Sequence, residues 1–140
     1  MTPGYDQPLY LLPFDHRHSY ITGMFHFQPP LTREQHDAVA DSKRLVYQGF
    51  EQAAGAGEPR AAAGILVDEE FGAPILRDAR QRGYVTAVST ETSGTDEFEF
   101  EYGSGFADHI EAVDPTFAKA LVRYNPQGQR ALNQRQEQRL

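Results

Sequence analysis

The 140-residue sequence contains no cysteine, which excludes disulfides, thiolate metal sites and a cysteine nucleophile together. Lysine is nearly absent too: the thirteen basic side chains are eleven arginines and two lysines, Lys43 and Lys119. Chemistry that needs an amine nucleophile therefore has two candidates, or takes one from outside this chain. No apolar run approaches the ~20 residues needed to cross a bilayer. The opening MTPGYDQPLY lacks the basic region and long apolar core of a signal peptide. A net charge of −7 argues against nucleic acid, because displacing phosphate counterions needs a basic surface. With 39% hydrophobic residues the chain has enough apolar material for one core. These absences describe a soluble, cytoplasmic protein without a membrane or nucleic-acid partner.

What is present is a set of short apolar runs that end in charge. LYLLPFDHRHSY (9–20) runs through six apolar residues and stops at Asp15, His16, Arg17 and His18. Such a run suits a strand buried on both faces, as in parallel sheets covered by helices. AAAGILV (61–67) ends in DEEFG, YVTAVST (84–90) runs into ETSGTDEFEFEYG, and TFAKALVRY (116–124) leads to Asn125. Helical segments separate them. The first, after Leu31, has Thr32 as N-cap candidate with Gln35 at the capping-box position, and ends near Gly55 and Gly57. Ala38, Val39, Leu45, Val46 and Phe50 mark its apolar side, which leaves Lys43, beside Arg44, on a solvated face. APILRDAR forms a second helix with Gly83 beyond its end, SGFADHIEAV a third, and the polar segment from 125 to Leu140 a fourth.

Strand and helix alternating four times imply an α/β fold with a parallel sheet. Side chains alternate along a strand, so Asp15 shares a face with Pro13 and Leu11, and Asp68 with Leu66. Glu91 likewise shares one with Ser89, and Lys119 with Leu121, Arg123 and Asn125. If these faces all point inward, Asp15, Asp68, Glu91, Arg123 and Asn125 meet at the carboxyl ends of the strands, where α/β folds bind ligands. Lys119 is the better amine on this reading, since Arg123 on its face would depress its pKa.

LPFDHR, GILVDEEFG, TETSGTDEFEFEYG and KALVRYNPQG, in that order, resemble the class I sugar-phosphate aldolases of the inositol-catabolism type. Those enzymes cleave 2-deoxy-5-keto-gluconate 6-phosphate; the tagatose-bisphosphate aldolases are more distantly similar. The resemblance implies the first four βα units of a (β/α)₈ barrel. Residues 1–140 would be one incomplete domain, 1–8 an N-terminal arm. A full barrel takes about 250 residues. The implied activity is cleavage of a phosphorylated keto sugar acid through a lysine Schiff base, with no metal or other cofactor. Asp15, Glu91 and Lys119 match catalytic positions, and Arg17, Asp68, Arg123 and Asn125 match substrate contacts, Arg17 through its donor fork. The Schiff-base lysine of the similar enzymes lies on a sixth strand, so Lys119 takes a supporting part and this chain alone is expected to be inactive. Thr92 departs from the pattern, where relatives commonly carry lysine.

Two other readings stand beside this one. His16-x-His18 at the end of a first strand, with a lysine on the fourth, also suits a metal-dependent amidohydrolase. A sheet of four parallel strands also has two bare edges, which fits a non-catalytic half-barrel that pairs with a second copy or with an absent C-terminal half. Glu70 serves loop order and catalysis equally well, and DEFEFEYG reads as a solvated face before it reads as an extended loop with Phe98, Phe100 and Tyr102 on its packed side.

Overall fold

The computed structural model describes residues 4–56 and 62–140. Ala61, the first residue of the expected second strand, and Gly57 lie outside the described residues. Four strands, β1 (Tyr10–Pro13), β2 (Ala63–Val67), β3 (Val85–Ser89) and β4 (Phe117–Lys119), form one sheet in the order β1-β2-β3-β4. Every pairing is parallel. The connecting helices are α1 (Arg33–Ala56), α2 (Glu69–Gln81) and α3 (Phe106–Val113), and α4 (Arg130–Arg139) follows β4. The α/β class and the alternation are as the apolar runs indicate. None of the helices is long and apolar enough to cross a membrane, among the described residues.

Local chemistry accounts for the helix boundaries. Thr32 and Gln35 form the reciprocal capping box, Gln35 N donating to Thr32 Oγ1 at 3.2 Å and Thr32 N to Gln35 Oε1 at 3.0 Å. Asp68 caps α2 by accepting from Phe71 N at 2.9 Å. Arg82 is the C-cap of α2 and Gly83 follows at φ +80°, the left-handed position that closes a helix cheaply only with glycine. Pro74, inside α2, has no N–H for the Glu70 carbonyl; His36 Nε2 supplies a donor instead, at 3.2 Å.

The main core lies between one face of the sheet and two helices. Ile65, Val67 and Val88 pack on Tyr47, Phe50 and Ala54 of α1 and on Ile75, Leu76 and Ala79 of α2. A second cluster joins Ile21, Val39 and Phe71 with the Tyr20–Phe27 segment. The expected apolar side of α1 needs correction. Its buried stripe is Val39, Lys43, Tyr47, Phe50 and Ala54, whereas Leu45 is 69% exposed and Ala38 also faces out. Lys43, placed on a solvated face by the sequence reading, is 1% exposed.

Two strand expectations also change. β1 is exposed along its whole length rather than buried on both faces, because no strand lies beyond it among the described residues. The fourth strand is three residues long, so Arg123 and Asn125 do not continue the face of Lys119. Of the expected N-terminal arm, Tyr5 packs edge-on against Phe117 of β4, with ring centroids 5.2 Å apart. The 90–101 segment folds back as a short antiparallel turn, Thr92 N donating to Glu99 O and Glu101 N to Thr90 O, both at 2.9 Å. Phe98 is buried there rather than on a solvated face, whereas Tyr102, expected on the same packed side, is 46% exposed, and Glu97 grips Arg135 and Arg139 of α4. Those guanidinium groups, Arg135 foremost, hold the Glu97 carboxyl down at about 2.

β2 and β3 meet at a point that admits no side chain. A Cβ on Gly64 would stand 2.8 Å from the Val85 carbonyl oxygen and 2.9 Å from Val85 Cβ. Gly64→Ala is expected to cost about 1–3 kcal/mol in denaturant unfolding, since backbone cannot step aside as a side-chain tip does. Gly49→Ala on α1, with nothing within 4 Å, is the control and should be neutral or stabilising. Equal midpoints for the two variants would mean that the sheet yields.

Candidate functional site

The carboxyl ends of β1, β3 and β4 bring three of the expected residues together. Lys119, the last residue of β4, donates from Nζ to Asp15 Oδ2 and to Glu91 Oε1, each at 2.8 Å. The register explains the meeting: Ser89 of β3 pairs with Lys119, and Thr90 donates to the Lys119 carbonyl from both N and Oγ1 at 2.9 Å, which delivers Glu91 beside the ammonium. Asp15 follows Phe14, whose N–H extends the β1–β2 ladder by donating to Leu66 O at 2.8 Å. The second Glu91 oxygen accepts from Leu121 N at 3.3 Å. A cavity of about 380 Å³ opens over this group, lined by Asp15, His16, His18, Glu91, Lys119 and Arg123 and roofed by the 92–96 loop.

The electrostatics of the group run opposite to the expectation from Arg123. Burial pulls the Lys119 amine down, but the hydrogen bonds and charges of Asp15 and Glu91 outweigh it and hold the pKa above that of a free lysine. Arg123 turns away, donating to Asp96 at 3.0 Å on the exposed rim. Lys119 is therefore an ammonium at neutral pH. It can fix an oxygen or balance a developing negative charge, and it is poorly suited to attack a carbonyl.

The other expected contacts are placed differently. Arg17 also lines the cavity, 4% exposed, and its guanidinium is held by protein: Nη2 donates to Glu91 O at 2.5 Å and Nη1 to Glu101 Oε2 at 2.7 Å. It ties the 90–101 turn to the end of β1. Asp68 does not join the mouth. It is fully buried, capping α2 with one oxygen and pairing with Lys43 through the other. Asn125 lies outside the cavity, its side chain accepting from Gln127 N at 3.0 Å and its carbonyl from Asn133 Nδ2 at 2.6 Å. Glu70 lines a neighbouring cleft with Arg17 and His18. The His16 carbonyl accepts from Lys43 at 2.9 Å, and His18 N lies 3.3 Å from Ser93 Oγ. Among the described residues, no three His, Cys, Asp or Glu side chains stand together as a metal donor set, so His16 and His18 gain no third ligand.

The sequence reading left Glu101 unassigned and put Lys43 on the wrong face. Glu101, the partner of Arg17, was legible in the alternation of Phe98 and Phe100 with Glu99 and Glu101. Lys43 was legible in the four-, four-, three- and four-residue spacing of the stripe from Val39 to Ala54, which runs through it.

No curated protein and no solved structure matches the chain. Residues 4–140 match the model of the family DUF2090, described as an uncharacterized protein conserved in bacteria, and the chain belongs to that family.

Proposed function

We propose that this chain forms the first four βα units of a (β/α)₈ barrel with an aldolase-type lyase site for a phosphorylated keto sugar acid. The observation that carries the reading is the Lys119 ammonium held between Asp15 and Glu91 at the carboxyl ends of three parallel strands. A retro-aldol step removes the proton from the hydroxyl that becomes the aldehyde while the C–C electron pair moves into an iminium. A carboxylate beside the hydroxyl takes that proton, and a fixed cation orients the oxygen that carries it. Asp15 or Glu91 supplies the first part and Lys119 the second. The iminium forms on a lysine that the resemblance places on a later strand, and Arg123 at the cavity rim is the available contact for the phosphate. Because the iminium serves as electron sink, the step needs no metal ion.

The exposed β1 edge fits the same reading. Tyr10 is 60% exposed, with Leu11 and Leu12 beside it, and an apolar groove runs from them along Val46, Phe50 and Ala53 of α1. A further strand and helix would cover both, whether supplied by later units of a barrel or by a second copy of the chain.

The test is cleavage of 2-deoxy-5-keto-gluconate 6-phosphate by the chain alone and by the chain joined to, or mixed with, the later strands. Cleavage that needs the later strands and survives a chelator is expected. No cleavage in the completed barrel would overturn the reading, and so would a reduced substrate adduct on Lys119 of the isolated chain.

A further inference from the structure

We infer that Lys43, buried on α1, is the positioning residue for Asp15. Its Nζ donates to the carbonyls of Phe14 at 3.0 Å and His16 at 2.9 Å, the residues on either side of Asp15, and its third contact is Asp68. An ammonium has three donors, and here each has an acceptor. Beyond the Phe14 N–H the β1–β2 ladder ends, so among the described residues these two carbonyls have no strand neighbour to hold them. Lys43 takes over that task and fixes the backbone on both sides of the carboxylate that grips Lys119. The ammonium also lies 5.7 Å from the ring centre of Tyr20 and 5.5 Å from that of Phe71, which closes it off from water. Asp68 then has a double use, capping α2 and orienting the lysine that reaches over to β1. Lys43 thereby joins α1, the end of β1 and the start of α2 at one buried atom, with the site as the fourth party.

The inference rests on the proposed site only in taking Asp15 and Lys119 as its working pair, and its test needs no substrate. Because the chain has two lysines, protein labelled with ¹³C at lysine Cε gives one signal for each, and Lys43→Met leaves Lys119 alone. Asp15→Asn sets the scale: removing that partner lowers the midpoint of the Lys119 titration. Lys43→Met is expected to lower it by at least half as much. Asp15→Asn combined with Lys43→Met should go no lower than Asp15→Asn alone, since the second change acts through a group already removed. Lys43→Met with Asp68→Asn leaves no unpaired buried charge and keeps an oxygen for the α2 cap, so it serves where the single variant fails to fold. It should show the same drop. Asp68→Asn alone retains the donors to both carbonyls and should leave Lys119 titrating as in the wild type, although stability falls. A Lys119 midpoint that moves less than half as far in the Lys43 variants, or that adds to Asp15→Asn, would overturn the inference. An equal drop in Asp68→Asn would overturn it too, placing the effect in the ion pair rather than in the carbonyl clamp. Loss or absence of aldol cleavage bears on none of these outcomes, so the two readings fail separately.

Discussion

Lys119→Met is expected to lower retro-aldol cleavage by the completed barrel about 10²–10⁴-fold, the range for removing a group that assists proton transfer. The same variant is expected to leave a borohydride-trappable lysine intact elsewhere. The two readouts separate a supporting cation from a nucleophile. With its pKa held above that of a free lysine by the hydrogen bonds and charges of Asp15 and Glu91, Lys119 stays an ammonium at pH 7. Asp15 and Glu91 both favour the charged form, and Arg17 is turned to Glu91 and Glu101. Methionine keeps the length of the stem and deletes the charge, leaving the two carboxylates facing each other. Disappearance of the reduced adduct in Lys119→Met would make Lys119 the Schiff-base amine. Cleavage by Lys119→Met as fast as by the wild type would detach Lys119 from the proton transfer.

The elements in the middle of the chain were legible because several local signals agree there. β2 and β3 are fully buried apolar runs, and α2 carries an acidic cap and a glycine stop. Glu91 and Lys119 were legible because each stands within two residues of a strand end, where alternation still predicts direction. Alternation fails where the strand has already ended. Asp68 follows β2 directly, but its backbone belongs to the α2 cap and its carboxylate goes to Lys43. Arg123 and Asn125 are four and six residues past the end of β4, where no partner strand keeps the pleat. β1 misled for another reason. Its composition is that of an interior strand, and its position is an edge, so the sequence describes surroundings that these residues do not supply. Arg17 shows the limit of reading charge as ligand contact: five donors in a fixed fork suit a phosphate, and they suit a carbonyl and a carboxylate of the same chain equally well.

Lys43→Met is expected to be the most destabilising single substitution at the base of the site, costing about 3–5 kcal/mol, the usual effect of breaking a buried ion pair by removing one partner. Methionine keeps the aliphatic stem between Tyr20 and Phe71, so little of the loss comes from a cavity. It comes from Asp68, which is 0% exposed and keeps a charge with only the Phe71 N–H to satisfy it. The carbonyls of Phe14 and His16 lose a donor as well, and the first of these contacts is buried. For a domain of this size the loss corresponds to a fall in Tm of roughly 10–20 °C. Two comparisons assign it. Leu45→Ser, two positions along α1 at a site 69% exposed, should stay within about 0.5 kcal/mol of the wild type. Adding Asp68→Asn to Lys43→Met should recover most of the loss, because a neutral amide caps α2 without leaving a buried charge, and replacing a whole buried pair is often close to neutral. Denaturant unfolding of the four proteins decides the matter. A Lys43→Met midpoint equal to that of Leu45→Ser would show that water reaches Asp68 and that α1 is not pinned to the end of β1. A double variant no more stable than Lys43→Met would move the cost from the stranded carboxylate to the two carbonyls.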